Sequence, residues 1–211
     1  MKFRHNGDEL GIFIINNYFC EMNFPSKVLE KAVEEISGLP GIGKKSALRL
    51  ALHLLRQPQS QGVALGNALQ KLVTDIKYCK ECHNFSDEDI CEICSNQKRN
   101  DEILCVVEDV RDVMAIENTA KFFGKYLVLG GKISPMEGIG PHQLNISSIE
   151  NKLNEGKVKE LIFALSATME GDTTAYYLYK KFKNFPVTFS SIARGIAVGD
   201  ELEYADEISL G

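Results

Sequence analysis

The sequence lacks any apolar run that approaches the roughly 18 residues needed to span a bilayer. A short apolar patch at residues 10–15 follows Asp8 and Glu9, and no small-residue cleavage site comes after it. A secretory signal is therefore missing as well, and the two absences together predict a cytoplasmic protein without membrane contact. With 44% hydrophobic and 25% charged residues over a length of 211, the chain is expected to fold around a core.

A general excess of positive charge is also absent, because the net charge is −5. Charge is nevertheless unevenly distributed: residues 24–77 carry eight Lys or Arg against four Asp or Glu, whereas residues 78–211 carry 14 against 22. The first segment is thus net basic and the second net acidic. We expect the basic segment to face nucleic acid and the acidic segment to meet proteins.

The sequence GLPGIGKKSA at residues 38–47 has the glycines and the lysine of a nucleotide-binding P-loop at the correct spacing. Two other parts of a P-loop are missing. Lys45 replaces the Ser or Thr whose hydroxyl would reach Mg²⁺, and residues 28–36 have helical periodicity where a buried strand should precede the loop. An ATP site is therefore the weaker interpretation of this stretch.

The same stretch resembles the helix-hairpin-helix module, which binds the DNA backbone without reading its sequence. Glycines allow a tight turn and close approach, and the free N–H groups that begin the next helix attract phosphate. Residues 45, 49 and 56 lie along one helical stripe and would add cations. The candidate DNA-binding residues are Gly41, Gly43, Lys44, Lys45, Arg49 and Arg56. The alternative is a plain glycine-rich helix connection with a solvated basic face.

Two Cys-x-x-Cys pairs follow, separated by eight residues, and they predict a structural zinc held by four thiolates. The ligands would be Cys79, Cys82, Cys91 and Cys94. Disulfides are the alternative, but a chain without an export signal is expected to keep its thiols reduced. Four sulfur ligands leave no open position for catalysis. His83 is expected to be a bystander, and Cys20 and Cys105 are left over, the latter in a core strand.

From residue 103 onwards, strand and helix patterns alternate, beginning with the apolar run ILCVVE. Helical patterns at 109–119, 146–156 and 173–182 separate strand patterns at 126–131, 160–166 and 187–193. This alternation predicts an α/β fold with a parallel sheet and helices on both faces. Ligands and partners of such sheets gather at the carboxyl ends of the strands, where Glu108 and residues 166–174 are expected.

The order of these features, together with VVEDVRDVMAIE, LVLGGKISPMEGIGP, MEGDTT and IARGIAVGDELEYAD, resembles the RecR family of bacterial recombination mediators over residues 22–211. The resemblance implies a ring-forming, tetrameric protein that binds single- and double-stranded DNA. It further implies that RecO, and in many bacteria RecF, are partners in helping RecA to displace single-strand-binding protein at gaps. The α/β unit would be a Toprim domain.

Catalytic Toprim domains hold Mg²⁺ with a Glu after the first strand and an Asp-x-Asp pair after a later one. Here Glu108 fills the first place, but the paired acids are missing, because Ser166 and Thr168 occupy their positions. We therefore expect no enzymatic activity and assign Glu108, Glu170 and Asp172 to a partner-binding surface. The alternatives are a Mg²⁺-dependent nuclease, primase or topoisomerase, and an adaptor that never touches DNA.

The resulting division of the chain has five parts. Residues 1–21 are an N-terminal extension, 22–77 the helix-hairpin-helix module, 78–100 the zinc finger, 101–190 the Toprim domain and 191–211 a Walker-B-like segment. Members of the resembled family usually continue beyond a final Ser-Leu-Gly, so the last segment is expected to be truncated.

Overall fold

The structure, a computed structural model, describes residues 23–193, Gly195 and Gly199. The predicted N-terminal extension and Cys20 lie outside the described residues, as does the Walker-B-like segment apart from residues 191–193, Gly195 and Gly199. The chain divides into two compact units between Leu69 and Gln70. Among the described helices, none is long and apolar enough to cross a membrane.

The first unit contains two helices, α1 (Lys27–Ser37) and α2 (Lys44–Arg56), and most of a third, α3 (Gln59–Asp75). The side chain of Ser26 caps α1 by accepting a hydrogen bond from the N–H of Val28 at 3.2 Å. A small apolar core joins α1 to α2, and its buried members are Val33, Ala47 and Ala51. The two alanines, one turn apart on α2, leave room for α1 to pack closely.

The second unit begins with a short antiparallel ribbon, β1 (Lys77–Tyr78) and β2 (Phe85–Ser86), and a single-turn helix, α4 (Glu92–Ser95). Residues 77–96 around these elements carry the four paired cysteines and are called the knuckle below. The knuckle has its own buried cluster, formed by Cys79, Cys82 and Cys91 with Ile90, Ile93 and Cys94 packed against it.

A four-stranded sheet forms the rest of the second unit. Its strands are β3 (Asn100–Val107), β4 (Gly124–Val128), β5 (Glu160–Ala164) and β6 (Thr188–Ser191). Their order is β4-β3-β5-β6 and every pairing is parallel, as the alternating sequence pattern predicted. The predicted strand at 126–131 ends earlier, at Val128, because Gly130 and Gly131 have φ values of 83° and 146°, which lie outside the range of regular β-strand backbone.

Helices cover both faces of this sheet, which confirms the predicted α/β class. On one face, Leu104 and Val106 of β3 belong to a core shared with α6 (Ile146–Asn154) and α7 (Met169–Phe182). On the other face, Cys105 and Val107 pack with α5 (Val110–Glu117). Since side chains alternate along a strand, one strand supplies both cores. Cys105 is buried in the second of them, as predicted.

Candidate functional site

Residues 38–43 form the turn between α1 and α2, here called the hairpin. Gly41 has φ 80°, and an added Cβ would find open space, so backbone conformation rather than crowding requires glycine there. Gly43 begins α2 in an extended conformation and has no side chain to cap the helix. The first turn of α2 therefore presents its backbone N–H groups without a side-chain cap, an arrangement that suits an anion.

Cations flank this helix start. Lys45, Arg49 and Arg56 are exposed and line one shallow depression of about 320 Å³ on α2. Lys44 is also exposed but does not line it. Within residues 23–193, none of these four side chains has an ion pair or hydrogen bond, and no acid lies in the first turn of α2. Their charges remain available for a ligand of opposite sign.

The four cysteines of the knuckle converge, with all four Sγ atoms within 4.8 Å of one another. Tetrahedral zinc with Zn–S bonds of about 2.3 Å places sulfurs about 3.8 Å apart, which this cluster fits. The Sγ atoms of Cys82 and Cys91 are 3.5 Å apart, too far for a disulfide bond of about 2.05 Å. His83 is not a member of this cluster, and its Nε2 lies 2.8 Å from Ser148 Oγ.

Backbone N–H groups support the sulfur atoms: that of Cys91 donates to Cys79 Sγ at 3.3 Å and that of Cys94 donates to Cys91 Sγ at 3.4 Å. The thiols also compete for protons. The hydrogen bond between Cys82 and Cys91 lowers the pKa of Cys91 and raises that of Cys82. Hydrogen bonds with Cys82 and then Cys91 raise the pKa of Cys94. Four thiolates this close require a bound cation to ionise together, and a divalent metal supplies that charge.

The carboxyl ends of β3 and β5 bring together the residues predicted for the Toprim position. Glu108 follows β3, and its Oε1 accepts a hydrogen bond from the N–H of Ser166 at 2.6 Å. Ser166 Oγ lies 3.0 Å from Thr168 Oγ1, and Thr168 caps α7 by accepting from the N–H of Gly171 at 3.2 Å. Glu108 therefore orders the loop that leads into α7.

Lys132, from the loop after β4, was not anticipated from the sequence. Its Nζ donates to Thr168 Oγ1 at 3.3 Å and lies 3.4 Å from Glu170 Oε2. The sequence around Lys132 does not indicate its partners, because only the topology of the sheet brings this loop close to α7. Glu170 and Asp172 both lie in the first turn of α7, where their charges suit the helix dipole.

The positions at which catalytic Toprim domains hold Mg²⁺ with paired acids carry other groups in this chain. Two neutral hydroxyls occupy the positions of the paired acids, and the ammonium of Lys132 is already bound to one of them. Mg²⁺ prefers carboxylates and water, and a fixed positive charge beside Thr168 repels it. The arrangement can instead present charged groups to a protein partner.

Comparison with known proteins agrees with this order of parts. Residues 29–73 match the helix-hairpin-helix family of RecR, residues 76–96 match the four-cysteine zinc finger domain of RecR, and residues 102–193 match the Toprim domain. The zinc finger match and the converging thiols confirm the predicted structural zinc.

Close relatives cover nearly the whole chain. A recombination protein RecR of Flavobacterium johnsoniae is 63% identical over 190 residues, which is 90% of this chain and 92% of the relative. The corresponding proteins of Flavobacterium psychrophilum and Bacteroides thetaiotaomicron are 62% and 57% identical, over 90% and 89% of this chain and 92% of each relative.

Proposed function

Because this chain belongs to the RecR family of recombination proteins, we propose that it is a non-enzymatic mediator that binds DNA through the hairpin. The observation that carries the proposal is the uncapped start of α2 beside the unpaired cations Lys45 and Arg49. Backbone N–H groups and exposed cations are the groups that grip phosphate. The proposed role is to act with RecO, and with RecF where it is present, so that RecA assembles at gaps.

Contacts of this kind are independent of base sequence. The hairpin offers amides at a helix start and cations on flexible side chains, and neither is arranged to pair with base edges in a groove. Single- and double-stranded DNA are therefore both expected ligands, since both have a phosphate backbone. The adaptor hypothesis, in which the chain never contacts DNA, leaves this basic surface without a role.

The mediator role can be tested by following RecA assembly on gapped DNA coated with single-strand-binding protein, in the presence of RecO. The wild-type chain should accelerate assembly, and the double variant Lys45→Ala, Arg49→Ala should lose most of that acceleration. Lys31→Ala is the matched control, because Lys31 is an exposed, unpaired lysine of α1 within the described chain. Full acceleration by the double variant would reject the hairpin as the working surface.

The competing hypothesis is a Mg²⁺-dependent Toprim enzyme. Ser166 and Thr168 in place of paired acids, and the Lys132 ammonium at Thr168, support a role without catalysis. Incubation with Mg²⁺ and supercoiled DNA should leave the DNA intact. Cleavage or relaxation that disappears in Glu108→Gln would establish the enzyme instead.

We assign partner binding to the surface that includes Glu108, Glu170 and Asp172. Glu170→Ala is expected to weaken capture of RecO, because it removes a partly exposed charge from the first turn of α7. Glu88→Ala, at an exposed position of the knuckle, serves as the control. Undiminished capture of RecO by Glu170→Ala would direct the search to another surface.

The division into functional parts is also proposed. We assign DNA binding to residues 22–77, zinc binding to 78–100 and partner contacts to 101–190. RecO binding by residues 70–211 alone, with no DNA binding, would support this division, and these residues form one of the two compact units.

A further inference from the structure

Among the residues that the structure describes, strand β4 lies at an edge of the sheet, because β3 is the only strand that pairs with it. Exposed edges offer unpaired N–H and C=O groups to other chains and promote aggregation. Here the N–H of Val128 donates to the backbone carbonyl of Cys82 at 2.8 Å. A zinc ligand of the knuckle therefore supplies the backbone group that closes part of this edge.

Lys125, on the same strand, makes a second connection to the knuckle. Its Nζ donates to the backbone carbonyls of Ile93 at 3.0 Å, Cys94 at 2.8 Å and Asn96 at 3.1 Å. An ammonium has three protons, and these three oxygens match them. The side chain of Lys125 is 13% exposed, and its Nζ also lies 3.5 Å from the carboxylate oxygen Oδ1 of Asp101.

A third connection is apolar. Ile93 packs against the cysteine cluster of the knuckle and also against the sheet core around Cys105, Val107 and Tyr126. Ile93 thus contacts both cores through its side chain and accepts a hydrogen bond from Lys125 through its backbone carbonyl. The knuckle is therefore held against β4 by three connections: the backbone hydrogen bond of Val128, the ammonium of Lys125 and the apolar side chain of Ile93.

We propose that Lys125 is a positioning residue that couples zinc binding to the covering of the β4 edge. Four thiolates around Zn²⁺ carry a net charge of −2, so a cation bound to the carbonyl of Cys94 and to those of Ile93 and Asn96 stabilises the occupied site. In return, the zinc-bound knuckle keeps the Cys82 carbonyl at Val128. Removal of the Lys125 ammonium should therefore weaken zinc binding, and removal of either the ammonium or the metal should weaken the hydrogen bond between Val128 and Cys82.

The test uses the full chain and two independent measurements. The first is the rate of zinc transfer to a chromogenic chelator, and the second is hydrogen exchange of the Val128 amide relative to the Phe163 amide in β5. Lys125→Met should release zinc about 10-fold faster or more, and should expose Val128 while Phe163 stays protected. Lys125→Arg should keep the zinc release rate and the protection of Val128 close to those of the wild type, because arginine is also a cationic hydrogen-bond donor.

Lys159→Met is the matched control, since Lys159 pairs with Glu102 on the exposed surface of the same unit. Chelation of zinc from the wild-type chain should also accelerate exchange at Val128 before exchange at Phe163, and this arm needs no substitution. Unchanged zinc release in folded Lys125→Met, or equal decreases in protection at both amides after chelation, would overturn the proposal.

Discussion

At the scale of single residues, two clusters of the second unit differ in what they can bind. The four thiols of the knuckle lie within 4.8 Å of one another, and two of the sulfurs, those of Cys79 and Cys91, accept backbone N–H groups, so the cluster suits a thiolate-binding divalent metal. At the end of the sheet, Ser166 and Thr168 bind each other and Thr168 binds Lys132. Zinc therefore stabilises the fold, whereas the Toprim position has internal hydrogen bonds where catalytic domains have metal ligands.

The first prediction concerns one ligand of that zinc. Cys91→Ser should reduce zinc content below half an equivalent and lower the free energy of unfolding by about 3 kcal/mol or more, because structural zinc contributes folding energy directly. Elemental analysis and chemical denaturation measure the two effects. Cys105→Ser is the control: its thiol is buried outside the cluster, so zinc content should not change. Full zinc content in Cys91→Ser would contradict the assignment.

At the scale of elements, the turn from β5 into α7 depends on a close backbone approach. A Cβ added to Gly171 would lie 2.0 Å from the carbonyl oxygen of Ser166, and backbone cannot yield as a flexible side chain can. Gly171→Ala should therefore lower the free energy of unfolding by about 1–3 kcal/mol. Urea denaturation provides the measurement.

The control for that substitution is Gly66→Ala on α3, where an added Cβ meets nothing within 4 Å. It should be neutral or stabilise by up to about 1 kcal/mol, because alanine favours helix. If both alanine variants unfold at the same urea concentration, the close approach at Ser166 does not matter for stability.

The sequence patterns predicted the strands and helices of the second unit better than the side-chain contacts between them. Alternating strand and helix patterns predict parallel strands, and the carboxyl-end rule correctly brought Glu108 close to Ser166. The partners of Lys125 and Lys132 could not be predicted, because a lysine on a strand or loop carries no information about which carbonyl or hydroxyl it will reach. Those interactions depend on strand order and loop course, which a single sequence does not specify.

At the scale of the whole molecule, we predict a closed oligomer around DNA. One hairpin with two or three cations neutralises few phosphates, so several copies on one duplex are needed for firm binding at physiological salt. Within the described part of the chain, α3 has no buried residue, and it exposes apolar side chains that a second copy would cover. Closed symmetry is the usual form of such assemblies, and a tetrameric ring is the expected one.

A closed ring and a dimer that lies on one side of DNA should dissociate from DNA by different routes. It should slide off linear DNA with open ends and stay longer on the same DNA with blocked ends. Equal dissociation rates from both substrates, combined with the mass of a dimer by light scattering, would reject the ring.

The most direct test of DNA binding by the hairpin measures DNA affinity against salt concentration for the wild-type chain, for the double variant Lys45→Ala, Arg49→Ala, and for Lys31→Ala. The double variant should bind all DNA sequences more weakly, and the slope of log affinity against log salt should fall by about one for each phosphate that is no longer neutralised. Lys31→Ala should match the wild type. An unchanged affinity and slope in the double variant would contradict DNA binding by the hairpin.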